Sequence, residues 1–315
     1  MLKLLARWLR ALLPLARHAE RGMASLLLLT ACGRGDLSET VSKPPTEADI
    51  PADSLGASIR RGLYLLRFTP ESLPQFALSS LRCTSCHQND GTKATSVPLT
   101  ASHARFPRYL ARSAAVVTLA DRVNYCLTRS LAGNALPHDS REMEDILAYL
   151  AFLSRGVPVG RGSASSDGLI PMKDTLVGDA VRGRVLFEST CTLCHGPDGA
   201  GVAPFPALWG PRSFSIGASM ARQERAASFI MHNMPQSKPG SLSQQQAFDL
   251  SAFINSHPRP DSPGKRDDWP NGGAPHDVPY STKGHDAFHP PAALVSRQNL
   301  KGALVPPPAS VRRGN

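Results

Sequence analysis

Two short stretches, CTSCH at 83–87 and CTLCH at 191–195, constrain this 315-residue chain more than any other feature. In Cys-x-x-Cys-His, two thiols three positions apart form thioethers to the two vinyl groups of one haem. The histidine that follows then lies under the iron as its proximal ligand. Cys83, Cys86, Cys191 and Cys194 are therefore expected to attach two c-type haems, with His87 and His195 bound to the two irons. Zinc is the other use of paired Cys-x-x-Cys knuckles, but ribbon knuckles lie about 15–20 residues apart. Here more than a hundred residues separate the motifs, and each is followed by histidine.

The flanks repeat with the motifs. A leading helix is expected over 179–190 before the second motif and over 56–67 before the first, where about a dozen extra residues precede Cys83. A polar glycine-containing loop and a helix follow each motif, and each half closes on a last helix. In the first half that helix is 139–154, with Met143, Ile146, Leu147, Leu150 and Leu153 on one face and Asp139 with Glu142 as its capping box. In the second it is 242–255, opening on Ser243 with Gln246 three residues later. The fold class read from this is mainly α. Two tandem class I cytochrome c-like domains span 56–158 and 177–258, each with one covalent haem, joined by a flexible linker at 159–176. Residues 256–315 hold eleven of the 28 prolines and no amphipathic period, so 259–315 reads as an irregular Pro-rich extension, wrapped on the surface or partly disordered. Its histidines, His276, His285 and His289, read as surface residues.

The N-terminus reads as an export signal over 1–31. Lys3, Arg7, Arg10, Arg17 and Arg21 precede the apolar run Leu26–Leu29 and Leu-Thr-Ala-Cys. That ending resembles a lipoprotein signal with Cys32 as the acylated residue, followed by a linker over 32–55, and the run is too short to span a bilayer. The expected location is periplasmic, held to the membrane by a lipid. A net charge of +10 favours an anionic partner. Without a basic run interleaved with aromatics, nucleic acid is not expected.

A haem with one histidine keeps an open axial position, filled in electron carriers often by methionine. Met234 precedes Pro235, which pushes it out of helical geometry and onto a loop. Met231 and Met220 compete for the role. Met234 lies 43 residues after Cys191, and the same offset from Cys83 lands on Cys126, a lone cysteine in RVNYCLTRS. The repeat thus places Cys126 where its twin has an iron ligand. A buried structural cysteine is the plainer reading, and Met143, His103 and His138 are competing ligands. If 121–131 is one α-helix, Arg122, Cys126, Arg129 and Ser130 share a face, with Arg112 just upstream. Guanidinium groups there would depress the thiol pKa and hold a small dianion, or else pair with haem propionates.

At these residues the chain resembles the dihaem thiosulfate dehydrogenases of the TsdA type, and more distantly the SoxA-type cytochromes. The resemblance covers about 56–291 and rests on RVNYCLTRSLAGNALPHDSREMEDILAYL, NMPQSKPGSLSQQQAFDLSAFINSHPRP, GGAPHDVPY and HPP. It implies that the His87/Cys126 haem is the active site and that the His195/Met234 haem passes electrons out. It also implies substrate contacts at Arg112, Arg122 and Ser130. The expected reaction joins two thiosulfates into tetrathionate, reversibly in principle, with Cys126 leaving iron to act as nucleophile. Electrons would go to a soluble or membrane-associated acceptor such as another cytochrome c. Family members can carry lysine before the second-haem methionine, whereas Asn233 stands here, so a Lys/Met ligand exchange is not expected. The rival readings are a non-enzymatic dihaem electron carrier and a SoxA-like subunit of a larger complex.

Overall fold

Asp53 starts the first helix by accepting a hydrogen bond from the Gly56 N–H, and α1 (Ser54–Arg67) buries Ile59, Leu63 and Leu66 on one side. In the computed structural model, residues 43–160 and 168–286 are described. The signal and Cys32, the central part of the linker, and the chain beyond 286 with His289 lie outside the described residues. After α1 comes the helical turn Cys83–Cys86, which carries the first haem motif. An antiparallel hairpin follows, β1 (Arg108–Leu110) and β2 (Ala115–Val117), pairing Arg108 with Val117. The sequence has too little alternation there to announce it. Next are α2 (Leu119–Tyr125), opened by a Thr118–Asp121 capping box, and α3 (Arg141–Leu153). The cap of α3 is Ser140, whose hydroxyl accepts from the Met143 N–H, rather than Asp139. The Ser140 N–H is already turned back to Pro137 O, which places the extended residue one step later than the pattern suggests.

The second half repeats the plan. α4 (Ala180–Thr190) is capped by Asp179, and the turn Thr192–His195 holds the second motif. Then come α5 (Gln223–Asn233) and α6 (Gln244–Asn255), the latter opened by the expected Ser243–Gln246 box. No helix among the described residues is long and apolar enough to cross a membrane.

In each half the first and last helices cross at a glycine. A Cβ on Gly62 would lie 2.0 Å from the Asp145 carbonyl oxygen and 2.9 Å from Tyr149 Cβ. One on Gly183 would lie 2.0 Å from the Asp249 carbonyl oxygen and 2.8 Å from Phe253 Cβ. The residue before each glycine is an arginine that pairs with the same aspartate, Arg61 with Asp145 at 2.7 Å and Arg182 with Asp249 at 2.8 Å. Both carboxylates are almost fully buried. The crossing is thus fixed twice over, by backbone approach and by an ion pair.

The two halves share one apolar core, running from Leu66 and Met143 to Phe187 and Phe248. Polar contacts join them as well. Ser80 N–H donates to Arg212 O at 2.7 Å, and Ala207 N–H to Ser80 Oγ at 2.9 Å. Thr95 Oγ1 donates to Asn233 Oδ1 at 2.9 Å, and Asn233 Nδ2 returns a bond to Thr95 O at 2.8 Å. The described part of the C-terminal extension is irregular, as its composition implies. It is nevertheless packed. Trp269, Val278 and Tyr280 form a small second core against Ile216, and Asp268 and Asp277 are buried.

Gly62→Ala and Gly183→Ala are each expected to destabilise the folded protein by about 1–3 kcal/mol through overpacking at the crossing, read as a lower thermal or denaturant midpoint. Burial raises the Asp145 and Asp249 carboxyl pKa values most, but the hydrogen bonds from Arg61 and Ser58 at one and from Arg182, the Asp179 N–H and Gln245 at the other, with the arginine charges, together outweigh it, and both end below the ordinary value. These pairs therefore stabilise the fold above the unfolded carboxylate pKa and lose that contribution as pH falls through the lowered one. Asp145→Asn and Asp249→Asn should each flatten the acid limb of a stability-versus-pH curve.

Candidate active site

Each motif places its cysteines and histidine on one short helical turn, and each histidine is aimed by a backbone carbonyl. His87 Nδ1 lies 2.5 Å from Val97 O, and His195 Nδ1 lies 2.9 Å from Pro206 O. A ring whose Nδ1–H is held this way offers the lone pair of Nε2 to a metal. The Val97 loop is itself tied to the first motif, because Ser96 Oγ donates to Cys86 O at 2.7 Å.

In the second half, Cys191, Cys194, His195 and Met234 line one cavity of about 310 Å3 whose other walls are mostly apolar. Met234 ends α5 in extended backbone, as its place before Pro235 requires. Met231 stays within α5, half-buried against the core. Met220, by contrast, lines the cavity beside Met234, closer than its distance along the chain suggests. Two vinyl-spaced thiols, an oriented imidazole and a thioether in an apolar cavity are a donor set that fits a c-type haem. The same cavity is walled by Leu81, Arg82, Thr84, Ser85 and Cys86 of the first motif, so the two attachment sites adjoin.

In the first half, Cys126 stands against the motif. Arg122 Nη1 donates to its Sγ at 3.0 Å, and His87 lies beside it. Burial alone would raise the Cys126 pKa, but the Arg122 guanidinium and His87 outweigh it and bring the thiol to about 6. Cys83 and Cys86 lack such cations, and burial pushes them to about 11 and about 12. Of these three cysteines, Cys126 is the one whose thiol is drawn below its ordinary range. Its proposed competitors lie elsewhere. Met143 is fully buried in α3, His103 is exposed, and His138 pairs with Asp121 at 3.2 Å.

The helix does not run through Cys126 as a regular α-helix. From Cys126 to Ser130 it widens into a π turn, with Leu131 N–H donating to Cys126 O at 2.9 Å. Thr128 Oγ1 caps Asn124 O, and the Asn124 side chain is drawn to the Leu136 backbone. The extra residue per turn corrects the expected common face. Arg122 stays on Cys126, whereas Arg129 turns to Asp268, with bonds of 2.9 and 2.7 Å, and lies over the Tyr125 ring. Ser130 ends the π turn, half-buried.

Arg112 sits in the connection of the β1–β2 hairpin. Its Nε and Nη2 bond Asp268 at 3.1 and 3.0 Å, and Nη2 also reaches Gly217 O at 2.8 Å and Tyr280 Oη at 2.5 Å. Tyr280 Oη donates to Asp268 Oδ2 at 2.6 Å. Sequence reasoning missed Asp268 and Tyr280, although Tyr280 ends the GGAPHDVPY segment.

Met234→Ala is expected to remove the methionine–iron absorption band of the oxidised protein and to lower that haem's potential. Met220→Ala should leave both unchanged; the opposite pattern, seen by absorption and potentiometric titration, would make Met220 the ligand.

The SoxA/TsdA cytochrome c domain matches residues 78–159, and the cytochrome c family matches 180–258. A thiosulfate dehydrogenase of Psychrobacter arcticus is 39% identical over 242 residues, covering 75% of this chain and 74% of the relative. One of Allochromatium vinosum is 42% identical over 226 residues, covering 69% and 83%. The solved thiosulfate dehydrogenase TsdBA from Marichromatium purpuratum superposes with a TM-score of 0.65 at 31% identity, over 71% of this chain; the chain spans half the length of that protein. Two cytochrome c domains carry two covalent c-type haems. With its duplicated attachment sites, a thiol set against the first of them and relatives matched over most of their length, the chain belongs to the dihaem thiosulfate dehydrogenase family of the TsdA type.

Proposed function

We propose that this protein oxidises two thiosulfates to tetrathionate at the first haem site, with Cys126 as nucleophile and Arg122 as its activating cation. The observation that carries the reading is the Arg122–Cys126 contact at 3.0 Å beside His87, which keeps a buried thiol in its reactive form. The two haems, when bound, supply a pair of one-electron acceptors. His87 and Cys126 would hold the first, and His195 and Met234 the second.

Arg122 has two tasks. It holds the Cys126 thiolate, and it screens the approach of a dianion to an anionic sulfur. Cys126 Sγ bonds the terminal sulfur of the first thiosulfate, and two electrons leave as the new S–S bond forms. The terminal sulfur of the second thiosulfate attacks the sulfur now bound to Cys126. That displaces the cysteine as thiolate and releases tetrathionate. Two thiosulfates thus yield one tetrathionate and two electrons, with no proton exchanged. Arg112 and Ser130 serve in this reading as substrate contacts. The adjoining of the first motif and the second cavity gives the electrons a short route toward an external acceptor, such as another cytochrome c. We place the protein outside the cytoplasm, where c-type haems are attached, with Cys32 as its lipid anchor.

The test is the absorption spectrum of oxidised holo-protein on adding thiosulfate. The wild-type haems should become reduced and Cys126→Ala should stay oxidised, although dithionite reduces both. Full thiosulfate turnover by Cys126→Ala would end the proposal. Arg122→Ala should keep both haems and lose about a hundredfold or more in kcat/KM.

A further inference from the structure

We propose that Asp268, carried by the C-terminal extension, is a positioning residue of the active site that aims Arg112 at the substrate and anchors the turn bearing Cys126. The inference rests on the reading of Cys126 as the catalytic centre and adds to it a role for a segment far away in sequence.

Asp268 is 3% exposed, and both of its oxygens are in use. Oδ1 accepts from Arg129 Nη2 at 2.7 Å. Oδ2 accepts from Arg129 Nη1, from Arg112 Nε and Nη2, and from Tyr280 Oη. One buried carboxylate thus gathers two guanidinium groups, which repel each other without it. The pairing is unequal in its effect. Arg129 spends both terminal nitrogens on Asp268, so it acts as a strut. Arg112 is held by Nε and Nη2, and its Nη1 has no hydrogen-bond partner among the described residues. A guanidinium fixed along one edge and open on the other is oriented to receive an oxyanion.

The strut reaches the nucleophile. Arg129 lies three residues after Cys126 on the π turn, and its backbone oxygen accepts from Ser215 Oγ at 2.5 Å. The same turn is therefore gripped through its side chain by the extension and through its backbone by the second half. Trp269 completes the cradle. Its N–H donates to Arg112 O at 2.8 Å, and its ring lies 4.9 Å from the Arg112 guanidinium carbon. Trp269 sits at φ 51°, a left-handed conformation that is uncommon for a bulky residue. Such strain persists where surrounding contacts over-determine it, and here they are the contacts that hold Arg112.

The experiment uses full-length dihaem protein and compares wild type, Asp268→Asn, Tyr280→Phe and Arg112→Ala, with both double variants carrying Arg112→Ala. Asp268→Asn keeps the size of the side chain and removes its charge. It is expected to raise the KM for thiosulfate about tenfold or more while kcat changes much less, because orientation of bound anion is lost and the nucleophile is kept. In the Arg112→Ala background the same substitution should add little further to KM, since the group it aims is gone, and what remains through Arg129 and the Cys126 turn should fall on kcat. An unchanged KM in folded Asp268→Asn, or fully additive increases in KM in the double variant, would overturn the proposal. If Asp268→Asn fails to bind two haems, Tyr280→Phe decides. It should raise KM by a smaller factor that also vanishes without Arg112, and an unchanged KM sinks the idea. Wild-type haems that stay oxidised in thiosulfate would instead bring down the functional reading and this inference with it. A wild type that is reduced, beside variants with unaltered KM, removes the inference alone.

Discussion

Everything in this structure hangs on how closely the first and last helix of each half approach. Gly62 and Gly183 let one helix backbone rest on the carbonyl of Asp145 or Asp249, and the arginine one residue earlier locks the register. Larger residues there would push the helices apart and open the wedge in which the haem motif sits. The repetition of glycine, arginine and aspartate in both halves shows that a single mechanical solution was used twice.

The halves then diverge in chemistry at equivalent positions. Met234 stands 43 residues after the first cysteine of its motif and Cys126 stands 43 after its own. The methionine lies in an apolar cavity, whereas the cysteine lies beside a guanidinium. One neutral thioether in an apolar cavity and one thiol beside a cation stand at equivalent places on the same scaffold.

Much of this is legible in the order of residues alone. Covalent haem attachment fixes the Cys-x-x-Cys-His spacing, helical periodicity exposes Met143, Ile146, Leu150 and Leu153, and the repeat offset singles out Cys126. The Ser243–Gln246 cap is local chemistry and is legible too. The cap of α3 falls one residue later than the pattern implies because a backbone turn at Pro137 decides it. The π turn at Cys126–Ser130 is not legible, since it depends on side chains capping the backbone around Asn124. Nor is the role of Asp268, which binds Arg129 and Arg112 from 139 and 156 residues away. A segment without periodicity carries no signal of contacts that reach so far along the chain.

The wall that Leu81–Cys86 lends to the second cavity has a consequence for how the molecule comes into being. Synthesis from the N-terminus makes the residues of that wall about a hundred positions before Cys191, so they are in the chain before the cavity they close. The latch between Thr95 and Asn233 forms in the same order, its earlier partner waiting in the loop that orients His87. Two copies of a small domain have in this way become one object. A chain divided at the linker would leave the later half with an open side, and the inherited symmetry would no longer suffice to make either part whole.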